Sequence, residues 1–193
     1  MAGKQAKTLS PAQIRTALAY LAATRNAERD VVMFLLSLRA GLRAKEIAGA
    51  TWTMVMGSDG LIGDTLALED RVAKMRSGRM IPLANDLKAA LEVLHAKRAP
   101  TPSQRIIYSE RRDGLDPATV AQRFFHLYQR LGFVGCSSHS GRRTFITTCA
   151  RKISLVGGSL KDVQMMAGHA DLTTTSGYID GDPAAARRVV NLI

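Results

Sequence analysis

Acidic residues are scarce in this 193-residue chain: 16 Asp and Glu face 27 Lys and Arg, leaving a formal net charge of +11. An imbalance of that size argues for a polyanionic partner. Cysteine is scarcer still. Cys136 and Cys149 are the only two and neither belongs to a C-x-x-C pair, which excludes a disulfide scaffold or a four-cysteine zinc site and fits a reducing cytoplasm. Long apolar runs are missing as well. The longest, Val31 to Leu38, is far short of the ~20 residues that cross a bilayer, and the opening Met-Ala-Gly-Lys-Gln lacks the apolar stretch of a signal peptide. Membrane and secreted classes are therefore not expected. No internal repeat or low-complexity tract is visible. The 46% of hydrophobic residues that remain suffice for one domain with a real core, so residues 1–193 read as a single unit.

The positive charge is uneven. Residues 97–152 hold eleven Lys or Arg against Glu110, Asp113 and Asp116, and residues 71–79 hold Arg71, Lys74, Arg76 and Arg79 with no acid. Most such side chains simply solvate a surface, but these two clusters are candidate contact faces. Ser10-Pro11 provides a helix start, followed by Ile14, Leu18 and Leu21 on one face. Residues 28–39 predict a more buried helix ended at Gly41, and Ala44 to Ala48 a short third one. From Thr51 the pattern turns to strands: Thr51 to Met56, the turn Ser58-Asp59-Gly60, Leu61 to Leu68, and Met80 to Leu83. Helices resume with Leu87, Leu91 and Leu94, and again after Asp116-Pro117 with Val120, Phe124, Leu127 and Leu131.

Four segments carry candidate chemistry: Gly41-Leu42-Arg43-Ala44-Lys45-Glu46; Lys74, eight residues before Pro82; His139-Ser140-Gly141-Arg142; and Gly168-His169, with Tyr178 nine residues after the histidine. Alone, each is more often a surface charge, a structural histidine or a packed ring. In this order and at these separations they resemble the catalytic domain of the tyrosine recombinases, the phage integrase family, over about residues 36–180. Arg43 and Glu46 match G-L-R-x-x-E, His139 and Arg142 match H-x-x-R, His169 matches the following G-H, and Lys74 precedes a strand ending in Pro82-Leu83.

The resemblance implies a mainly helical α+β catalytic domain with a small three-stranded antiparallel sheet. It also implies exchange of duplex DNA strands through a covalent 3′-phosphotyrosine, with assembly as a homo-oligomer, a tetramer on DNA. A phosphodiester gathers negative charge in its transition state, and two planar, permanently charged guanidinium groups, Arg43 and Arg142, suit it bidentately. Tyr178 is the implied nucleophile; an ordinary tyrosine pKa of about 10 means that neighbouring cations must assist. The family roles assign proton acceptance to His139 and a hydrogen bond to a non-bridging oxygen to His169. Lys74 is the expected donor to the leaving 5′-oxygen, and Glu46 orients the cations rather than touching DNA. Arg71, Arg76, Arg79 and Arg143 are candidate DNA contacts. Neither nucleotide cofactor nor metal is expected, because the ester stores the energy of the broken bond and the arginines stabilise charge. A zinc site from Cys136, His139, Cys149 and His169 has poor spacing, and Gly157-Gly158 lacks a phosphate-loop signature.

Most family members carry a helical core-binding domain before the catalytic one. Here little precedes the helix leading to Arg43, so that domain is expected to be absent, in a minimal recombinase or in a fragment of a longer one. Residues 181–193 predict one tail helix. Two other readings use the same residues: relaxation of DNA in the manner of a type IB topoisomerase, and a non-catalytic DNA-binding regulator of the same fold.

Overall fold

Ser10 caps the first helix as its sequence requires. Its hydroxyl accepts the Gln13 N–H at 3.2 Å while the Gln13 side chain accepts the Ser10 N–H at 2.9 Å, a reciprocal cap that starts α1 (Pro11–Ala22). In this computed structural model residues 5–73, 78–110 and 113–178 are described, with 187, 190 and 191. Lys74 and Arg76 therefore lie outside the described residues, as does nearly all of the expected tail helix.

α2 (Ala27–Arg39) is the central element, packed against α1, α4 (Asn85–Arg98) and α6 (Ser140–Lys152). Its residues Val32 to Leu38 are all buried, which explains a run too apolar for a surface helix. Leu87, Leu91 and Leu94 of α4 are buried against the same core, to which Trp52 and Phe124 also belong. α3 (Ala44–Gly49) packs on α5 (Pro117–Arg130), whose start is capped by Asp116 accepting the Thr119 N–H at 2.8 Å. Between α2 and α3 the chain turns at Gly41, in the left-handed region with φ +63°, and a β-carbon there would lie 2.5 Å from the Phe145 ring. Only glycine meets both conditions.

The expected three-stranded sheet has two strands among the described residues. β1 (Thr65–Leu68) pairs antiparallel with β2 (Arg79–Pro82), Leu66 opposite Ile81. The segment expected as a further strand instead turns tightly at Trp52–Met54, because its backbone is drawn to the proline-bearing connector: Trp52 N–H bonds Gln104 O at 3.1 Å and Thr53 N–H bonds Pro102 O at 2.8 Å. Single bridges remain, Thr51 with Arg105 and Met56 with Ile62, the latter closing the Ser58-Asp59-Gly60 turn. A second, smaller hydrophobic cluster joins Phe145 and Ile146 of α6 to Val163 and Ala167 of α7 (Leu160–Ala167), beside the short α8 (Leu172–Ser176). Among the described residues no helix is long and apolar enough to cross a membrane.

Candidate active site

Arg43 occupies the cap position of α3, so its extended backbone turns its side chain out of the helix start while Glu46, one turn on, reaches back. Glu46 accepts the Arg43 backbone N–H at 2.8 Å and its guanidinium at 2.9 Å. A fully buried carboxylate needs such partners. Burial pushes the Glu46 pKa up, yet bonds and charges from Arg79 and Arg43 outweigh it and hold the group below its ordinary value, hence ionised.

Arg142 lies on the first turn of α6 and is only 4% exposed. One terminal nitrogen donates to Gly41 O at 2.6 Å and the other to Ala167 O at 2.7 Å, so it bridges the Arg43 turn and the end of α7. Burial first, then the neighbouring Arg43, brings its pKa down to about 10, leaving it cationic at neutral pH. His139 immediately precedes α6 and is exposed, its backbone carbonyl accepting the Arg143 N–H at 2.8 Å.

Gly168 ends α7 in the left-handed conformation and delivers His169 to the same place. The imidazole Nδ1 lies 2.8 Å from Oγ1 of the fully buried Thr175, while Gln164 holds the His169 carbonyl at 3.1 Å. Burial, followed by Arg142, Arg43 and Arg79, pushes the His169 pKa down to about 4, so the ring is neutral at pH 7. The half-buried Tyr178 stacks on it, ring centroids 5.6 Å apart and planes 23° from parallel, and the Arg143 guanidinium lies 5.6 Å from the tyrosine ring centre.

Arg43, His139, Arg142, His169 and Tyr178, five residues singled out in the sequence, thus line one cleft of about 440 Å³ together with Arg143. Among its described lining residues there is no carboxylate, a setting built for an anion. Arg143 also donates to Gln5, which lines the cleft from the N-terminal segment.

Two expectations are placed elsewhere. Arg79 is not an exposed DNA contact: its side chain is 5% exposed and is consumed by Glu46 and a backbone carbonyl of α7, because it shares the inward face of β2 with Ile81. Arg71 is exposed but paired with Glu69. Thr175 and Gln164 were not legible as site residues, since no motif marks them; only the fold brings them to His169. No group of three His, Cys, Asp or Glu side chains among the described residues is arranged to hold a metal ion.

Cations thus gather around a tyrosine on a mainly helical scaffold with a small hairpin. The phage integrase family model matches residues 7–184, and the chain belongs to that family, the tyrosine recombinases. No curated protein sequence matches it significantly. Among solved structures, the Tn1549 transposon integrase in complex with a circular intermediate DNA superposes with a TM-score of 0.78 at 17% identity, covering 100% of this chain and 67% of that one. XerA recombinase gives 0.72 at 21% identity, covering 96% and 64%. A λ integrase dimer bound to a COC′ core site gives 0.67 at 21% identity, covering 92% of this chain and 49% of the other. The chain thus spans from about half to about two thirds of the chains in these structures, and at such identities the likeness is one of fold.

Proposed function

We propose that this chain is the catalytic domain of a site-specific recombinase, acting on duplex DNA through a covalent 3′-phosphotyrosine. The observation that carries this reading is the single cleft in which Tyr178 stacks on His169 beside Arg43, Arg142, Arg143 and His139. The Tn1549 integrase structure is a complex with a circular intermediate DNA and the λ integrase dimer is bound to a core site, which supports the same partner here.

In the proposed step the Tyr178 oxygen attacks phosphorus and the bond to the 5′-oxygen breaks. The phenolic proton passes to His139, and Lys74 protonates the departing oxygen. Arg43 and Arg142 meet the charge that grows on the non-bridging oxygens. His169 contributes as a neutral donor: in the tautomer whose Nδ1 accepts the Thr175 hydroxyl, Nε2–H is the group available to phosphate. With a pKa of about 4 the ring is neutral at pH 7, so it can donate to phosphate without adding charge to the site. Reversal, with another DNA 5′-hydroxyl as nucleophile, rejoins the strand. Exchange between two duplexes involves four cleavages, one for each copy in a tetramer.

A nicked suicide duplex tests the reading. Wild type should accumulate a covalent protein–DNA adduct, and Tyr178→Phe should form none while keeping its thermal midpoint and DNA affinity. An adduct formed by the phenylalanine variant would move the nucleophile to another residue.

A further inference from the structure

Arg79 lies on the hairpin, yet its side chain is buried against Glu46 and the end of α7, in a pocket it shares with two residues of the cleft, Arg43 and His169. Its two terminal nitrogens each donate to a different Glu46 oxygen at 3.1 Å, and its Nε donates to the Met166 carbonyl at 2.8 Å. The same two Glu46 oxygens serve Arg43, one accepting its guanidinium and the other its backbone N–H. Gly168 closes over this fork: a β-carbon at that position would come within 2.9 Å of an Arg79 terminal nitrogen. Three separate segments therefore converge on one buried guanidinium, namely β2, the start of α3, and the end of α7 that leads into His169.

One buried carboxylate shared by two guanidinium groups has a plain electrostatic consequence. With both present, the Glu46 charge is divided, and Arg43 keeps net positive charge for an incoming phosphate. With Arg79 gone, the whole anion falls on Arg43 in a site of low dielectric, where an ion pair is strong and the remaining attraction for a second anion is weak. We propose that Arg79 is a positioning residue that balances Glu46, so that Arg43 retains its charge for phosphate and His169 is held at the mouth of the cleft. This role rests on the recombinase reading above, since it concerns how that site meets a phosphodiester.

His169 gives an independent readout. It faces Arg142, Arg43 and Arg79, with Asp171 acting in the opposite sense, Thr175 on Nδ1 and Tyr178 on its ring face. Loss of Arg79 removes one of the cations that keep the ring neutral.

The test compares wild type, Arg79→Met, Arg79→Lys and the double variant Arg79→Met with Glu46→Gln. Adduct formation on the suicide duplex should slow about 10–100-fold in Arg79→Met and recover about tenfold when Glu46 is neutralised in the same chain. In the DNA-free protein, the His169 imidazole followed by NMR should titrate above the wild-type midpoint of about 4 in Arg79→Met and close to it in Arg79→Lys, which keeps the charge. A double variant no faster than Arg79→Met, or an unmoved His169 midpoint, would overturn the proposal. Should Arg79→Met fail to fold, the double variant decides. A folded double variant shows that the uncompensated carboxylate did the harm, and an unfolded one reduces Arg79 to a simple strut. Absence of adduct from wild type itself would sink the recombinase reading, while the titration would still report on Arg79.

Discussion

Arg43 and Glu46 stand on the large hydrophobic cluster, whereas His169 and Tyr178 stand on the small one. The first cluster includes Phe34, Leu36, Trp52, Leu87, Leu91 and Leu94, all essentially without exposure. Among the described residues, only Phe145, Ile146, Val163 and Ala167 are buried in the second, with Tyr178 packed at its margin. Apolar burial scales with area, so the two halves cannot be held by the same means. Polar bridges reinforce the packing of α6 on α2: Arg142 links the Gly41 carbonyl to that of Ala167, and Arg79 reaches the Met166 carbonyl, the last two being acceptors at the end of α7 that the helix itself leaves unused. Cations there also suit the negative end of the helix dipole. The half that carries the proposed nucleophile thus depends on the same arginines that shape the proposed phosphate site, which couples local order to the proposed chemistry.

The largest effect should come from breaking that bridge. Arg142→Met should lower adduct formation by at least about 10²-fold, since it removes a charge aimed at the transition state. In hydrogen exchange it should also strip protection from α7 and α8 while sparing α2 and α4. Equal loss in both halves would erase the distinction. Next come the two clusters themselves. With equal truncations, Leu91→Ala should fall toward the upper end of about 2–5 kcal/mol in denaturant unfolding and Ile146→Ala toward the lower end. A large-cluster cost below the small-cluster one would invert the comparison.

The smallest effect is in pH. His169 titrates near 4 in the folded chain against 6.5 as the ordinary value, because burial and three arginines disfavour its cation. Between those values the unfolded chain binds a proton that the folded one does not. The stabilisation is therefore complete above pH 6.5 and is lost as pH falls toward 4. Thermal midpoints across that window should fall more steeply for wild type than for His169→Gln, and parallel curves would contradict the assignment.

Helix starts were legible wherever a side chain does the capping, as at Ser10 and Asp116, and the buried faces of α4 and α5 followed from their leucines and phenylalanine. Five of the six expected catalytic positions converge because their motifs are local and mark the ends of elements; Lys74 lies outside the described residues. Thr51 to Met56 misled because its alternation is real but its hydrogen-bond partners belong to a connector some fifty residues away, which no local pattern reveals. Arg79 misled for a different reason. Charge suggested a surface, although its two-residue spacing from the buried Ile81 already placed it on the inward face.

Arg142 touches a carbonyl 101 residues earlier and another 25 residues later, so the cleft exists only when both ends of that span are present. During synthesis this imposes an order of appearance. A polypeptide that has reached Gly157 carries Arg43, His139 and Arg142, but it lacks the carbonyl that holds Arg142 from the far side, the imidazole and the phenol. On the proposed chemistry such an intermediate has the arginines for a phosphate but not the nucleophile. The cleft is therefore completed only once the chain has been made as far as residue 178.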